Sequence, residues 1–273
     1  MYNGFKIIDT HAHIFPDDLA ERAISHLEEE GGIKAKHNGT LSGLLKNMES
    51  AGIDRAIALS IATKPGQVEK INSWAAEETK KYYPKLILSG TLHPDYENPE
   101  SAVKFLKQNN VNLIKLHPEY QYFSINDYRM NKIYEILSDY DMSLYFHAGR
   151  DIAFVGSRCN PENLNKLIRK YPRLKVIAAH LGSFLLWEDV ATYLAGENII
   201  LDTAYTFDEI SDEMFYKIYE KHDKSKIIFA TDSPWKSQSG YVKKFSGLNI
   251  DKINLKKIFW DNALSIFWKG DEK

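Results

Sequence analysis

A chain of 273 residues, 44% hydrophobic and 26% charged, is long enough to bury a sizeable core and has the make-up of an ordinary soluble globular protein. Its formal net charge of −2 supplies no field to draw in nucleic acid or an anionic membrane. A single cysteine, Cys159, excludes a disulfide within the chain and a cysteine-based zinc site.

The first β-type run spans 6–14 (KIIDTHAHI) and carries His11 and His13 near its end. The roughly forty residues after it are expected to hold a lid or wall insertion around 15–50, although Leu41, Leu44, Leu45 and Met48 keep helical spacing. A second run covers 54–61, and Val68, Ile71, Trp74 and Ala75 then mark a helix. The third run, 86–92, leads into His93, and the fourth, 111–117, ends on Lys115 and His117. Ile133, Ile136 and Leu137 predict the next helix, and the fifth run, 143–148, ends on His147. Pro161, directly after Asn160, reads as the first residue of a helix through Leu164, Leu167 and Ile168. Runs at 174–181, 198–204 and 226–232 follow, with His180 ending the sixth and Asp232 the eighth. A last helix is expected over 250–268, with Ile253, Ile258, Phe259, Leu264 and Phe267 facing inward.

Most runs are rich in Ile, Leu and Val and stay uncharged until their C-terminal ends, as strands buried on both faces of a parallel sheet do. Eight such strands alternating with helices predict an α/β fold, a (β/α)8 TIM barrel forming a single domain over 1–273. A doubly wound open sheet would carry a glycine-rich loop after its first strand, where this chain has HAHIFPDD. The opening residues lack a basic stretch followed by an apolar one, and no run reaches the ~20 apolar residues of a membrane span. A cytoplasmic location, in keeping with the lone cysteine, is therefore the expectation.

Barrel enzymes place their chemistry at the C-terminal ends of the strands. His11 and His13 are two apart and so point the same way, closure brings Asp232 beside them, and His147 faces them across the mouth. Imidazole and carboxylate ligands suit Zn²⁺, and they also take Mn²⁺, Fe²⁺ or Ni²⁺. His11, His13, His147 and Asp232 would leave one coordination position for water. Asp232 could bind the metal with one oxygen and accept the water's proton with the other. His180 could orient the water, protonate a leaving group or hold a second metal. Singly, a His-x-His pair, a core histidine or an aspartate in a Thr-Asp-Ser-Pro turn carries little weight. Together, burying these groups without a cation would cost several kcal/mol. His26, His37 and His222 read as surface residues, and His93 stays open. Trp235 and Tyr205 are rim packing or an aromatic wall, and Arg150 and Arg158 are solvated or clamp a carboxylate.

IIDTHAHIFP, IKLHPEYQ, YFHAGR, VIAAHLGS and FATDSPW, in this order, resemble the amidohydrolase superfamily. The resemblance is strongest to its amidohydrolase-related branch, which includes aminocarboxymuconate-semialdehyde decarboxylase and similar aromatic-acid decarboxylases. KIFWDNALSIF is similar to the closing helix of those proteins, so the likeness spans essentially the whole chain. It implies the same four ligands, with His180 at the bound water or a second metal. It places Lys115 where two-metal members carry a carboxylated lysine. Lys115, His117 and His180 therefore either hold a second metal or support the first, and one metal per chain is the favoured reading. Glu119 and Tyr120 are expected to line the substrate pocket, with Arg150 and Trp235 as further substrate contacts. The first functional reading is a metal-dependent hydrolase, metal-bound water attacking an amide, ester or lactone carbonyl of a small molecule. The alternative is a non-oxidative decarboxylase of an aromatic or unsaturated carboxylic acid, and a minor alternative is a metal-binding barrel without catalysis. The partner expected is a small-molecule substrate, without nucleic acid or membrane; related proteins are often dimers, so a homodimer stays open.

Overall fold

The structure, a computed structural model, describes residues 2–268, so the two ends of the expected 1–273 domain lie outside the described residues. Among the described residues nine short strands are present: β1 (Ile8–Ala12), β2 (Arg55–Ala58), β3 (Leu86–Leu88), β4 (Gly90–Thr91), β5 (Leu113–Leu116), β6 (Ser143–Phe146), β7 (Lys175–Ala178), β8 (Ile200–Asp202) and β9 (Ile227–Ile228). Every ladder is parallel and joins neighbours in chain order. β3 and β4 are two pieces of one predicted run, parted at Ser89, whose N–H still reaches the Ala58 carbonyl (2.9 Å). Gly90 is needed there because a Cβ would stand 2.3 Å from the Leu106 side chain. The first and last runs meet: the Thr10 N–H donates to the Phe229 carbonyl (3.0 Å) and the Asp232 N–H to the His11 carbonyl (2.8 Å). Eight staves thus close into a (β/α)8 barrel.

Alternate side chains fill the interior. Ile8, Ile57, Leu113, Tyr145, Ile177 and Ile228 form one buried cluster, with Trp268 from the C-terminal helix packed into it. The opposite faces of the strands pack on the surrounding helices in a larger cluster. The helices are α1 (Asp17–Gly31), α2 (Leu41–Ala51), α3 (Val68–Tyr82), α4 (Pro99–Gln108), α5 (Met130–Asp139), α6 (Pro161–Lys170), α7 (Trp187–Tyr193), α8 (Asp212–Lys221), α9 (Gln238–Ser246), α10 (Lys252–Lys256) and α11 (Asn262–Phe267). None of them is long and apolar enough to cross a membrane. α6 opens as its sequence predicts, with Pro161 first and the Asn160 side chain accepting from the Asn163 N–H (2.9 Å). Asn160→Ala is expected to lower stability by about 1 kcal/mol in urea unfolding, the usual worth of such a cap. An unchanged midpoint would mean that the cap is idle.

Within 15–50, α1 leads into a loop tied to the residues after the eighth run. The Lys36 N–H donates to the Pro234 carbonyl (2.7 Å), and His37 Nε2 meets Ser233 Oγ (2.9 Å). His37 is thus half-buried rather than a free surface residue. His222, also expected at the surface, is buried, because both ring nitrogens serve backbone: Nδ1 accepts from Gly196 N–H (3.1 Å) and Nε2 donates to the Ile199 carbonyl (3.1 Å). The last helix is not continuous. A π-helical turn over Lys257–Asp261 separates α10 from α11. Ile253, read as inward-facing, is 72% exposed because it lies off the face on which Leu255, Ile258 and Phe259 recur at i, i+3 and i+4 and are buried.

Candidate metal centre

β1 has a register shift between Asp9 and Ala12, and His11 within it and His13 just beyond it enter the barrel mouth. His11 Nε2 and His13 Nε2 lie 3.2 Å apart. Asp232 Oδ1 is 3.1 Å from His13 Nε2 and 3.4 Å from His11 Nε2. Asp232 reaches them from a left-handed backbone (φ 68°) at the end of the eighth run, and His180 (φ 62°) leaves the sixth run the same way. Non-glycine residues hold that conformation at a cost of roughly 1–3 kcal/mol, a cost typically met at functional sites.

The other ring nitrogens fix the tautomers. His11 Nδ1 donates to Asp202 Oδ2 (2.7 Å), His13 Nδ1 to the Leu59 carbonyl (3.0 Å), and His180 Nδ1 to the Ala204 carbonyl (2.9 Å). These partners can only accept, so each ring carries its proton on Nδ1 and turns a lone pair on Nε2 inward. Burial pushes the His11 ring well below its ordinary pKa, so it stays neutral. Burial works to raise the Asp232 carboxyl, and only positive charge close by would offset that. Two imidazole lone pairs and a carboxylate therefore converge with no donor among them.

Asp202, at the end of β8, escaped the sequence reading although it stands at the catalytic end of the seventh run. It is fully buried and accepts from His11, from the Tyr145 hydroxyl and from the backbone N–H groups of His180 (2.7 Å) and Ala204 (2.9 Å).

His147 is set apart from the other three expected ligands, and His180 links it to them. His147 Nδ1 faces His180 Nε2 at 3.0 Å, while its Nε2 contacts the Arg150 carbonyl (3.2 Å). His147 stacks on His117, with centroids 4.0 Å apart and 10° between planes. His117 Nε2 lies 3.4 Å from Asp151 Oδ2, and His117 Nδ1 lies 3.5 Å from Glu119 Oε2. Asp151 carried no signal in the sequence beyond its place after the fifth run. Burial pulls the Lys115 amine down to about 8; its Nζ has no hydrogen-bond partner among the described residues and lies 4.9 Å from the Tyr145 ring centre. Burial pushes the Glu119 carboxyl up to about 7, and its Oε1 accepts from the Arg158 N–H (2.8 Å). Tyr120 is edge-on to both His117 and Phe154.

Arg150 brings its carbonyl to the site, while its exposed side chain borders an outer cavity of about 390 Å³ with Asn160 and Glu162. Trp235 and Tyr205 line a second cavity of about 350 Å³ at the rim, with Lys36 and Lys236. His93 accepts from the Asp95 N–H in its own turn, and His26 stays at the surface beside Glu30.

A family model described as Amidohydrolase matches residues 8–267. No curated protein sequence matches the chain. Among solved structures, an uncharacterized TIM-barrel protein from Bordetella bronchiseptica superposes with a TM-score of 0.77 at 16% identity, covering 96% of this chain and 98% of its own. The 5-carboxyvanillate decarboxylase LigW from Sphingomonas paucimobilis gives 0.70 at 15% identity, covering 97% and 99%. A dihydroxybenzoic acid decarboxylase from Polaromonas sp. JS666, with bound manganese and the inhibitor 2-nitroresorcinol, gives 0.70 at 15% identity and covers 97% of each chain.

Proposed function

This chain belongs to the amidohydrolase family, and we propose that it is a divalent-metal-dependent enzyme that removes CO2 non-oxidatively from a small aromatic or unsaturated carboxylic acid. One observation carries the metal: His11 Nε2, His13 Nε2 and Asp232 Oδ1 converge within 3.1–3.4 Å of one another, with no donor between them. Such a knot of acceptors is repulsive until a cation enters it, and about 3.3 Å separates ligand atoms that share one small ion at ~2.0–2.1 Å. His147 would add its Nδ1 as the fourth protein ligand, and His180 Nε2 faces the same space. The donor set suits Mn²⁺ as well as Zn²⁺, and the manganese in the Polaromonas protein supports Mn²⁺ as the first ion to try.

Hydrolysis, the first reading of the sequence, needs the same centre. Decarboxylation is preferred because two structural neighbours bear that activity in their names. A bound divalent ion would supply Lewis acidity toward a substrate oxygen. The chain's own residues supply the rest. When the bond to the carboxyl carbon breaks, its electron pair stays on the ring or chain carbon, which must then take a proton. Asp232 would first take a proton from the incoming acid or from solvent and then pass it to that carbon, and His180, whose Nδ1 is fixed by Ala204, would relay it through its Nε2 lone pair. The buried Lys115 amine lends positive charge beside an anionic substrate.

The test is a panel of hydroxybenzoates, lactones and amides given to protein stripped by chelator and reloaded with Mn²⁺, with CO2 followed separately. A hydroxybenzoate is expected to release CO2, and the stripped protein to be at least ~100-fold slower. Lactone or amide cleavage without CO2 would return the enzyme to hydrolysis. No turnover of any member in the metal-loaded protein would leave a binding barrel without catalysis.

A further inference from the structure

Surface lysines on this chain often pair singly with a carboxylate, as Lys104 does with Glu100 and Lys166 with Glu162. The rim cavity of about 350 Å³ departs from that pattern. Lys34, Lys36, Lys236 and Lys244 all line it, and among the described residues Asp208 is the one carboxylate in its wall. Lys236 and Lys244 share Asp208, at 2.7 and 3.0 Å, while Lys34 pairs with Glu28 outside the wall (2.7 Å). Lys36 is exposed and has no ion-pair partner among the described residues. The lining lysines and their partners thus set four positive charges against two negative ones, on a chain whose formal net charge is −2. Like charges held around one hollow repel, and an anion entering it removes that repulsion.

The hollow is preformed. Glu28 accepts from Lys34 Nζ with one oxygen and from the Ala35 N–H with the other (2.8 Å), and the Lys36 N–H donates to the Pro234 carbonyl (2.7 Å). These bonds fix 34–36 against the residues after the eighth run. The Lys236 side chain is only 16% exposed, with Nζ held by Asp208 and 3.9 Å from the centre of the Tyr205 ring. Lys244 Nζ also donates to the Phe207 carbonyl. Ser237, which caps α9, and Gly240 in its first turn line the same space, and a helix N-terminus favours an anion. The half-buried Trp235 adds a flat apolar wall.

We propose that this rim cavity is a ligand site separate from the metal centre, for a small molecule carrying a compact dianion on a flat ring. A phosphate monoester or a pair of adjacent carboxylates supplies that dianion. It meets Lys36, Lys236 and Lys244, and the ring lies along Trp235. The volume falls within the ~300–1,000 Å³ usual for small-molecule sites. The site does not depend on which reaction the metal centre performs.

Isothermal titration calorimetry of the full chain with phenyl phosphate, and separately with phthalate, tests it in Mn²⁺-loaded and in chelator-stripped protein. A saturable event with one or both probes is expected in both forms, because no residue lining the cavity is a proposed metal ligand. The tighter probe identifies the dianion. Lys36→Ala and Lys236→Gln should each weaken binding about 10-fold, the worth of one charge-assisted contact. Lys36→Ala leaves the backbone bond to Pro234 in place. Asp208→Asn, which frees two lysines, should tighten binding. Lys132→Ala, at an exposed lysine of α5, should change it by less than about 2-fold, since bulk salt screens so remote a charge. No saturable binding of either probe at millimolar concentration, binding that vanishes with the metal, undiminished binding in both lysine variants, or an equal loss in Lys132→Ala overturns the proposal. A substrate panel without CO2 release leaves it standing.

Discussion

Asp232→Asn is expected to cut CO2 release by about 10³-fold at saturating Mn²⁺ while leaving the barrel folded. Proton transfer by a placed side chain is worth roughly 10²–10⁴-fold, and asparagine cannot carry the proton. It also removes the negative charge that two imidazole lone pairs face at 3.1 and 3.4 Å, so metal affinity should drop as well. The fold should survive because the Asp232 N–H to the His11 carbonyl is a backbone bond. Asparagine also accepts the left-handed φ of 68° about as readily as aspartate. Turnover, metal content and thermal midpoint should be measured on one sample. A fully loaded variant turning over at the unaltered rate would remove Asp232 as proton carrier. A rate that falls only in proportion to lost metal would reduce it to a ligand.

The barrel was legible because its strands are buried on both faces. That burial leaves runs such as VNLIKLH and LKVIAAHL with their polar residues pushed to one end, and the observed strands lie within the expected runs. Strand order and closure followed from β/α alternation. What the pattern could not carry was rotation and partnership. It located His147 at the correct end of its strand, but not that the ring lies flat on His117 with Nε2 toward Asp151. His222 looked like a surface residue beside charged neighbours, because nothing in a linear sequence reports that two backbone groups await its ring. Ile253 was assigned inward, but it lies five residues before Ile258, off the helical face that Leu255, Ile258 and Phe259 bury. Asp202 ends NIILDTA just as Asp232 ends KIIFATD, so position alone could have nominated it. Without a neighbouring histidine in its own segment, it did not stand out.

Asp202→Asn should separate metal binding from stability, because this carboxylate sets a tautomer as well as a packing arrangement. Its Oδ1 accepts two backbone N–H groups, and Oδ2 accepts His11 Nδ1–H and the Tyr145 hydroxyl. Burial and the neighbouring Asp202 push the Tyr145 pKa far up, so Tyr145 remains a phenol donor. An asparagine that keeps its oxygen on the backbone pair must turn its NH2 toward His11. The His11 ring then avoids two facing donors only by moving its proton to Nε2, which fills the lone pair the metal needs. Mn²⁺ affinity should fall about 10–100-fold, the usual worth of such an outer partner. Unfolding of the metal-free protein in urea should lose roughly 1–3 kcal/mol, from a buried donor left unpaired. Asp202→Ala strands all four donors and should lose more stability, about 3–5 kcal/mol. Tyr145→Phe removes one donor without touching the imidazole, so its metal affinity should stay within about 3-fold of the unaltered protein, a small change beside the outer-partner effect. Unchanged Mn²⁺ affinity in Asp202→Asn would show that His11 keeps its lone pair without help, and the inward-facing lone pairs would lose their cause.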